Sequence, residues 1–368
     1  MIDVFGCIKA LVKLESICID NIVFRLHYKI TVILLITFSL LVNSRQYFGD
    51  PIDCTSTKEL ERVIDTLHHI GYHWRPYITV GQAGDQQGLE VPFPGVRPKF
   101  PGDTENYQRY YQWVGFYIFF QACTFFLPRY VWRYCWEDGR MKALVANLTS
   151  PIHTDFELVR MRQRIIIDYL YSNVGTHQAY AFKFFFCEVL NFLNVIFQIL
   201  LTDAFLGYQF TTYGFEVMTH LRMSEEPPEK RTDPMSRIFP KVAQCTFTTF
   251  GHAGSKNTYS AICILSINIL NEKIFIVVWF WYLILAVITG SGLIFRILTI
   301  ACPPLRVWLL TRKSRAVESF VFTKLANELN IGDWFILYQV GKNLDELVFG
   351  ELLKGLAHRF GSLRKTSV

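Results

Sequence analysis

Four apolar runs, at 28–42, 113–132, 182–206 and 274–295, constrain this chain more than any other feature of its sequence. An α-helix needs roughly 20 apolar residues to cross a hydrocarbon core, so the last three runs suffice unaided and the first needs its flanks. A backbone in lipid must satisfy its own hydrogen bonds, and each run is therefore expected to be helical. None of the runs contains a histidine. Arg129, Lys183 and Asp203 lie near run ends, where a side chain can snorkel to water, whereas Glu188 lies deeper and needs a partner. With 51% hydrophobic but 18% charged residues, the chain is expected to carry sizeable aqueous parts as well.

Four spans place both termini on one side. Arg129, Arg133, Arg140, Lys142, Arg164 and Lys183 cluster around the connection between the second and third runs, and Arg296, Arg306, Arg312, Lys313 and Arg315 follow the fourth. The positive-inside rule then puts both termini and the middle loop in the cytoplasm. The expected order begins with a cytoplasmic helix at 1–27, a span at 28–44, an outside loop at 45–109 and a span at 110–132. A cytoplasmic loop at 133–181, a span at 182–206, an outside loop at 207–273, a span at 274–295 and a cytoplasmic helical domain at 296–368 complete it. The fold class is an all-α membrane protein, a four-transmembrane-helix bundle whose outside loops are linked by disulfide. The first residues lack the basic and apolar regions of a secretory signal. A net charge of +6 calls for no nucleic-acid partner, because basic loops beside anionic lipid account for it.

Among nine cysteines, Cys7, Cys18, Cys135 and Cys302 fall on the reducing side and Cys123 and Cys187 within spans. Cys54, Cys245 and Cys263 fall in the outside loops, where a disulfide can tie the first loop to the second and leaves one thiol over.

Within the third run, Glu188, Asn191, Asn194 and Gln198 recur at steps of three, three and four, which makes one helical face. In lipid such a face must meet protein or water, as hydrogen-bond glue between helices or as the lining of an aqueous vestibule. Pro128 removes a backbone hydrogen bond and is a candidate gating hinge. Ile2, Phe5, Ile8 and Val12 describe a short amphipathic helix suited to a membrane surface. Two tail helices are expected, at 312–329 and 344–359, with 332–343 between them. Thr366 and Val368 fit a ligand for a PDZ scaffold. Asn147 opens a glycosylation sequon in the predicted cytoplasmic loop, where it is expected to stay unmodified.

Short motifs add identity to this topology. Tyr110, Tyr111, Gln112, Trp113 and Val114 open the second span with polar-tipped aromatic rings, which favour the membrane–water boundary. Residues 49–54 read GDPIDC, Phe239, Pro240 and Lys241 precede Cys245, and residues 271–275 read NEKIF before Trp279, Phe280 and Trp281. Residues 331–335 read IGDWF and are followed by Gly341, Lys342 and Asn343. In this order, over nearly the whole chain, these motifs resemble those of the innexins, the gap-junction channel subunits of invertebrates. The resemblance implies a homo- or hetero-oligomeric ring of innexin subunits, octameric, around a wide pore that passes ions and small metabolites. It also implies plasma-membrane rings that dock across the gap between cells, and an amino-terminal segment folded into the pore mouth, the alternative to a surface helix.

One departure from the family pattern stands out. The second cysteine of the family's first outside loop lies in a stretch like Asp-Thr-Tyr-Cys-Trp, and here Asp65, Thr66, Leu67, His68 and His69 occupy it. The family's crosswise pairing then implies a Cys54–Cys263 bond and leaves Cys245 unpaired, so docking is the property most affected. His68, His69 and His73 could join Cys245 around zinc, but their spacing matches no ligand motif; a polar loop with a replaced disulfide is the plainer reading, with no metal and no cofactor. An enzyme fails on inventory, for want of span histidines, a nucleophile elbow or a phosphate loop. A four-span adhesion or scaffold protein is the stronger rival, yet the chain lacks the Cys-Cys-Gly of tetraspanins and the three-cysteine loops of connexins.

Overall fold

The computed structural model describes residues 17–49, 52–55, 76–80, 93, 95–96, 101–102, 104–107, 110–137, 139–145, 156–222, 234–250, 253–314 and 317–366. Among them the four apolar runs become four helices long and apolar enough to cross a membrane: α1 (Ile22–Phe48), α2 (Val114–Glu137), α5 (Gln178–Phe205) and α8 (Ser266–Ala301). The short first run gains its missing length from both flanks. Asn21 starts α1, its side-chain oxygen accepting from the Phe24 amide at 2.7 Å, so one of the free amides of the first turn is satisfied. This earlier start brings His27 into the first span, which corrects the expectation of spans without histidine. Both α1 and α2 contain a π-helical stretch, at Leu26–Thr31 and Val131–Glu137.

The chain divides into two compact units, and the division falls within each of the four long helices. The first unit comprises Met1–Ile33, Cys123–Val195 and Leu285–Val368. It contains α3 (Arg140–Val145), α4 (Phe156–Ser172), α9 (Pro303–Thr311), α10 (Ser319–Glu328), α11 (Ile331–Asn343) and α12 (Glu346–Thr366). Trp132, Phe184, Phe322, Phe335 and Leu353 are among the buried residues of its apolar core. The stretch expected to separate two tail helices is itself α11. Trp334, Phe335, Leu337 and Val340 are buried on it, and that burial outweighs the cost of two glycines in a helix. Its glycines permit close approach: a Cβ at Gly332 would lie 2.6 Å from the His177 backbone, and one at Gly341 would lie 2.7 Å from the Phe349 ring.

The second unit, Leu34–Ala122 and Ile196–Ile284, corrects the all-α expectation. Besides α6 (Phe210–Arg222) and α7 (Pro234–Ile238), it holds β1 (Asp53–Thr55), β2 (Pro76–Val80), β3 (Thr104–Tyr107), β4 (Val242–Phe250) and β5 (Lys256–Ile264). These form one five-stranded antiparallel sheet in the order β1-β5-β4-β2-β3. Threonine and aromatic residues dominate β4, VAQCTFTTF, and suit a pleated surface. Gly254, at φ +74°, supplies the left-handed residue in the connection to β5.

Candidate functional site

The sheet brings together cysteines that are far apart in sequence. Cys54 on β1 lies directly opposite Cys263 on β5, and the two form a disulfide across 209 residues of chain. Cys245, two residues along β4 from the partner of Cys263, points to the same face, and all three sulfur atoms lie within 4.8 Å of one another. Its thiol is free and buried, and desolvation pushes its pKa up to about 12. Two of the three sulfurs are spent on the disulfide, so the cluster offers a single thiol to any metal. His68, His69 and His73 lie outside the described residues, as do Asn147, the amino-terminal residues Ile2 to Val12 and Val368.

Beside the disulfide, three sequence motifs converge. Tyr110 sits in a one-turn 3-10 helix, donates its hydroxyl to the Ile238 carbonyl at 2.9 Å and meets the Phe239 ring edge-on. Burial raises the pKa of its phenol. Tyr111 is buried too, Gln112 accepts a hydrogen bond from the Gln46 side chain through its carbonyl, and Trp113 is 63% exposed. Of the aromatic belt, then, Trp113 faces outward, while the two tyrosines turn into the protein. Phe239 stacks on Phe275 at 5.3 Å. Lys241 pairs with Glu272 at 3.0 Å, and Asn268 donates to the Pro240 carbonyl at 3.0 Å. The three blocks that read as separate signatures in sequence thus form one packing cluster.

Further buried charges lie in the first unit. Asp20 receives Arg129 at 3.0 Å, Arg25 at 2.9 Å and the Tyr28 hydroxyl at 2.9 Å. Arg129 is 2% exposed, which corrects the expectation that it snorkels to water; a carboxylate contributed from outside the apolar run neutralises it in place. Glu188 is likewise engaged. It binds the Arg296 guanidinium with both oxygens, at 2.7 and 2.8 Å, and accepts from the Asn21 amide at 2.6 Å. Asn191 and Gln198 are buried and Asn194 is half-buried, so the polar face of α5 is largely covered by protein. His27 is buried with its Nε2 2.8 Å from the Thr289 hydroxyl. Pro128 lies inside α2, three residues before its π-helical stretch, and Thr366 ends α12.

Tail-block residues act as clamps in the same unit. Asp333 binds His177 Nδ1 at 2.7 Å and the Gly175 amide at 2.8 Å, and Trp334 donates to the Arg306 carbonyl at 3.2 Å. Asn343 accepts from the Cys18 amide and donates to the Cys18 carbonyl. The roles of Asp20, Asn21 and His27 were not read from sequence because all three precede the apolar run. A deep arginine in α2, which requires a counter-charge, was the available signal for Asp20.

Comparison with known proteins agrees with this assembly of motifs. The innexin family model matches residues 20–360. Innexin inx2 of Schistocerca americana is 48% identical over 360 residues, covering 98% of this chain and 98% of the relative. Innexin inx2 of Drosophila melanogaster is 48% identical over 358 residues, covering 97% and 95%, and innexin shaking-B of the same species is 39% identical over 366 residues, covering 98% and 95%. Matched along nearly its full length, and carrying four helices able to cross a bilayer, the chain belongs to the innexin family.

Proposed function

We propose that this chain is a subunit of a plasma-membrane channel that passes ions and small metabolites, as a gap junction between cells or as an unpaired hemichannel. The observation that carries this reading is family membership over nearly the whole chain. A second feature supports assembly: only 33–44% of the most apolar window of each long helix is buried within the chain, which leaves apolar surface for lipid and for other innexin subunits. The ring is octameric on the family resemblance, with both termini in the cytoplasm and the sheet outside the cell. Permeation is diffusion through a wide pore and requires no catalytic residue or cofactor.

The hemichannel reading has its own support, the histidine at position 68 where the family pattern places a loop cysteine. Electrical recording from paired cells, each expressing this protein alone, tests both readings. Current across the pair establishes a junction; current only from single cells establishes a hemichannel. Absence of both at verified surface expression favours a four-span adhesion or scaffold protein.

A further inference from the structure

We propose that a basic cavity at the start of α5 is a binding site for the phosphorylated headgroup of an anionic phospholipid. The cavity measures about 530 Å³ and lies wholly within the first unit, among α3, α4, α5 and α11. Arg140, Arg162 and Lys183 line it, and no carboxylate does so among the described residues. Two carboxylates in this unit are already engaged. Asp333 holds His177 and the Gly175 amide, and Glu137 accepts from the amides of Gly139 and Met141 at 2.9 and 2.7 Å.

The rest of the lining makes a lipid a better fit than a soluble anion. Ile166, Tyr180 and Ile336 give the cavity an apolar wall. Arg162, Ile166 and Tyr169 recur at steps of four and three on α4, so one helical face presents the cation beside the apolar surface. Lys183 and Tyr180 belong to the first turns of a helix able to span the membrane, so the cavity lies at a span end, the depth of headgroups. Arginine forks match phosphate oxygens in bidentate geometry, and basic pockets beside transmembrane helices take phosphorylated headgroups for that reason. The apolar wall would accept the first acyl carbons, which a free phosphate ester lacks. Enrichment of such lipids on this face of the membrane rests on the orientation proposed above; binding itself does not.

The test is native mass spectrometry on the intact oligomer in detergent, titrated with phosphatidylinositol bisphosphate, with phosphatidylcholine and with soluble inositol trisphosphate. The expected result is selective retention of the phosphoinositide, weakened about thirtyfold by Arg140→Gln with Arg162→Gln. Arg160→Gln with Arg164→Gln, an equal charge change on α4 outside the cavity, should leave it unchanged. Equal loss in both double variants would reduce the effect to diffuse charge and overturn the proposal. So would equal affinity for phosphatidylcholine, or displacement by inositol trisphosphate as effective as by the lipid. Should the cavity variant fail to assemble, melting of the unaltered oligomer takes its place. A rise in melting temperature with phosphatidylinositol bisphosphate but not with inositol trisphosphate supports the lipid site, and an equal response to the two overturns it.

Discussion

Glu188 and Lys342 illustrate how a largely buried charge constrains a single residue. Glu188 and Arg296 are each nearly covered, with side chains 10% and 13% exposed, so removing one charge strands the other. Glu188→Ala is therefore expected to destabilise the protein by about 3 to 5 kcal/mol. Glu188→Leu combined with Arg296→Met should recover much of that loss, because an apolar pair of similar volume needs no counter-charge. Thermal unfolding of the purified oligomer measures both. Unchanged stability with altered ion selectivity would instead assign Glu188 to the aqueous pathway. Lys342 sits in α11 over the Tyr338 ring, and its pKa is lowered to about 8, first by burial, with Arg296 and Lys313 adding to the shift. Because the unfolded chain holds this proton up to about pH 10.5, it binds more protons than the folded state between the two values. Stability contributed by this group should then rise with pH from about 8 to 10.5, for a total of about 3 kcal/mol, and stay flat below 8. Lys342→Met should remove this rise and stabilise the protein at pH 7, leaving the pH dependence contributed by other groups such as Cys245. A melting-temperature series across that range decides it.

At the scale of elements, the disulfide is the tie whose removal can be read most directly. Cys54→Ser or Cys263→Ser removes the covalent tie between β1 and β5, leaving only their ladder pairing, and is expected to cost about 2 to 5 kcal/mol. Cys245 behaves differently, being buried and held as a thiol by its raised pKa. Maleimide should label it at pH 7.5 only after denaturation, whereas exposed Cys123, Cys135 and Cys302 react in the folded protein wherever detergent or lipid leaves them accessible. Rapid native labelling of Cys245 would show that β4 opens. Much of this level was legible in sequence. The apolar runs located all four long helices, since lipid leaves the backbone few alternatives, and the loop cysteines announced a covalent tie. The five-stranded sheet was not legible, because β1, β2 and β3 are short and pair across long stretches of sequence, and the local hairpin of β4 and β5 lies in a segment read for cysteines and prolines rather than for alternation. Helix α11 was missed for a related reason. It was set aside as the block between two tail helices, yet its glycines are the points where His177 and Phe349 pack against the helix.

For the whole molecule, the proposed junction turns on whether one inter-loop disulfide suffices for two rings to dock. Docking requires rigid outside loops, since ordering a mobile surface subtracts from the binding energy. The sheet supplies part of that rigidity, joining strands from both loops, and the Cys54–Cys263 bond fastens one end of it. At the other end, Pro76 of β2 pairs in register with Cys245, and His68 stands eight residues before Pro76 in the sequence. Cys245 is the loop thiol left without a disulfide partner, and the family's crosswise pairing assigns it to a cysteine at the place of His68. His68→Cys is expected to form a second inter-loop disulfide with Cys245, detectable as a cross-linked peptide that disappears in the His68→Cys, Cys245→Ser double variant. If loop rigidity limits docking, the single variant should raise junctional conductance between paired cells and leave single-cell currents unchanged, and the double variant should return conductance to the starting level. A cross-link without any gain in junctional conductance would mean that the sheet already holds the loops well enough. Docking would then depend on the chemistry of the surfaces that meet, and the histidine would be a neutral replacement.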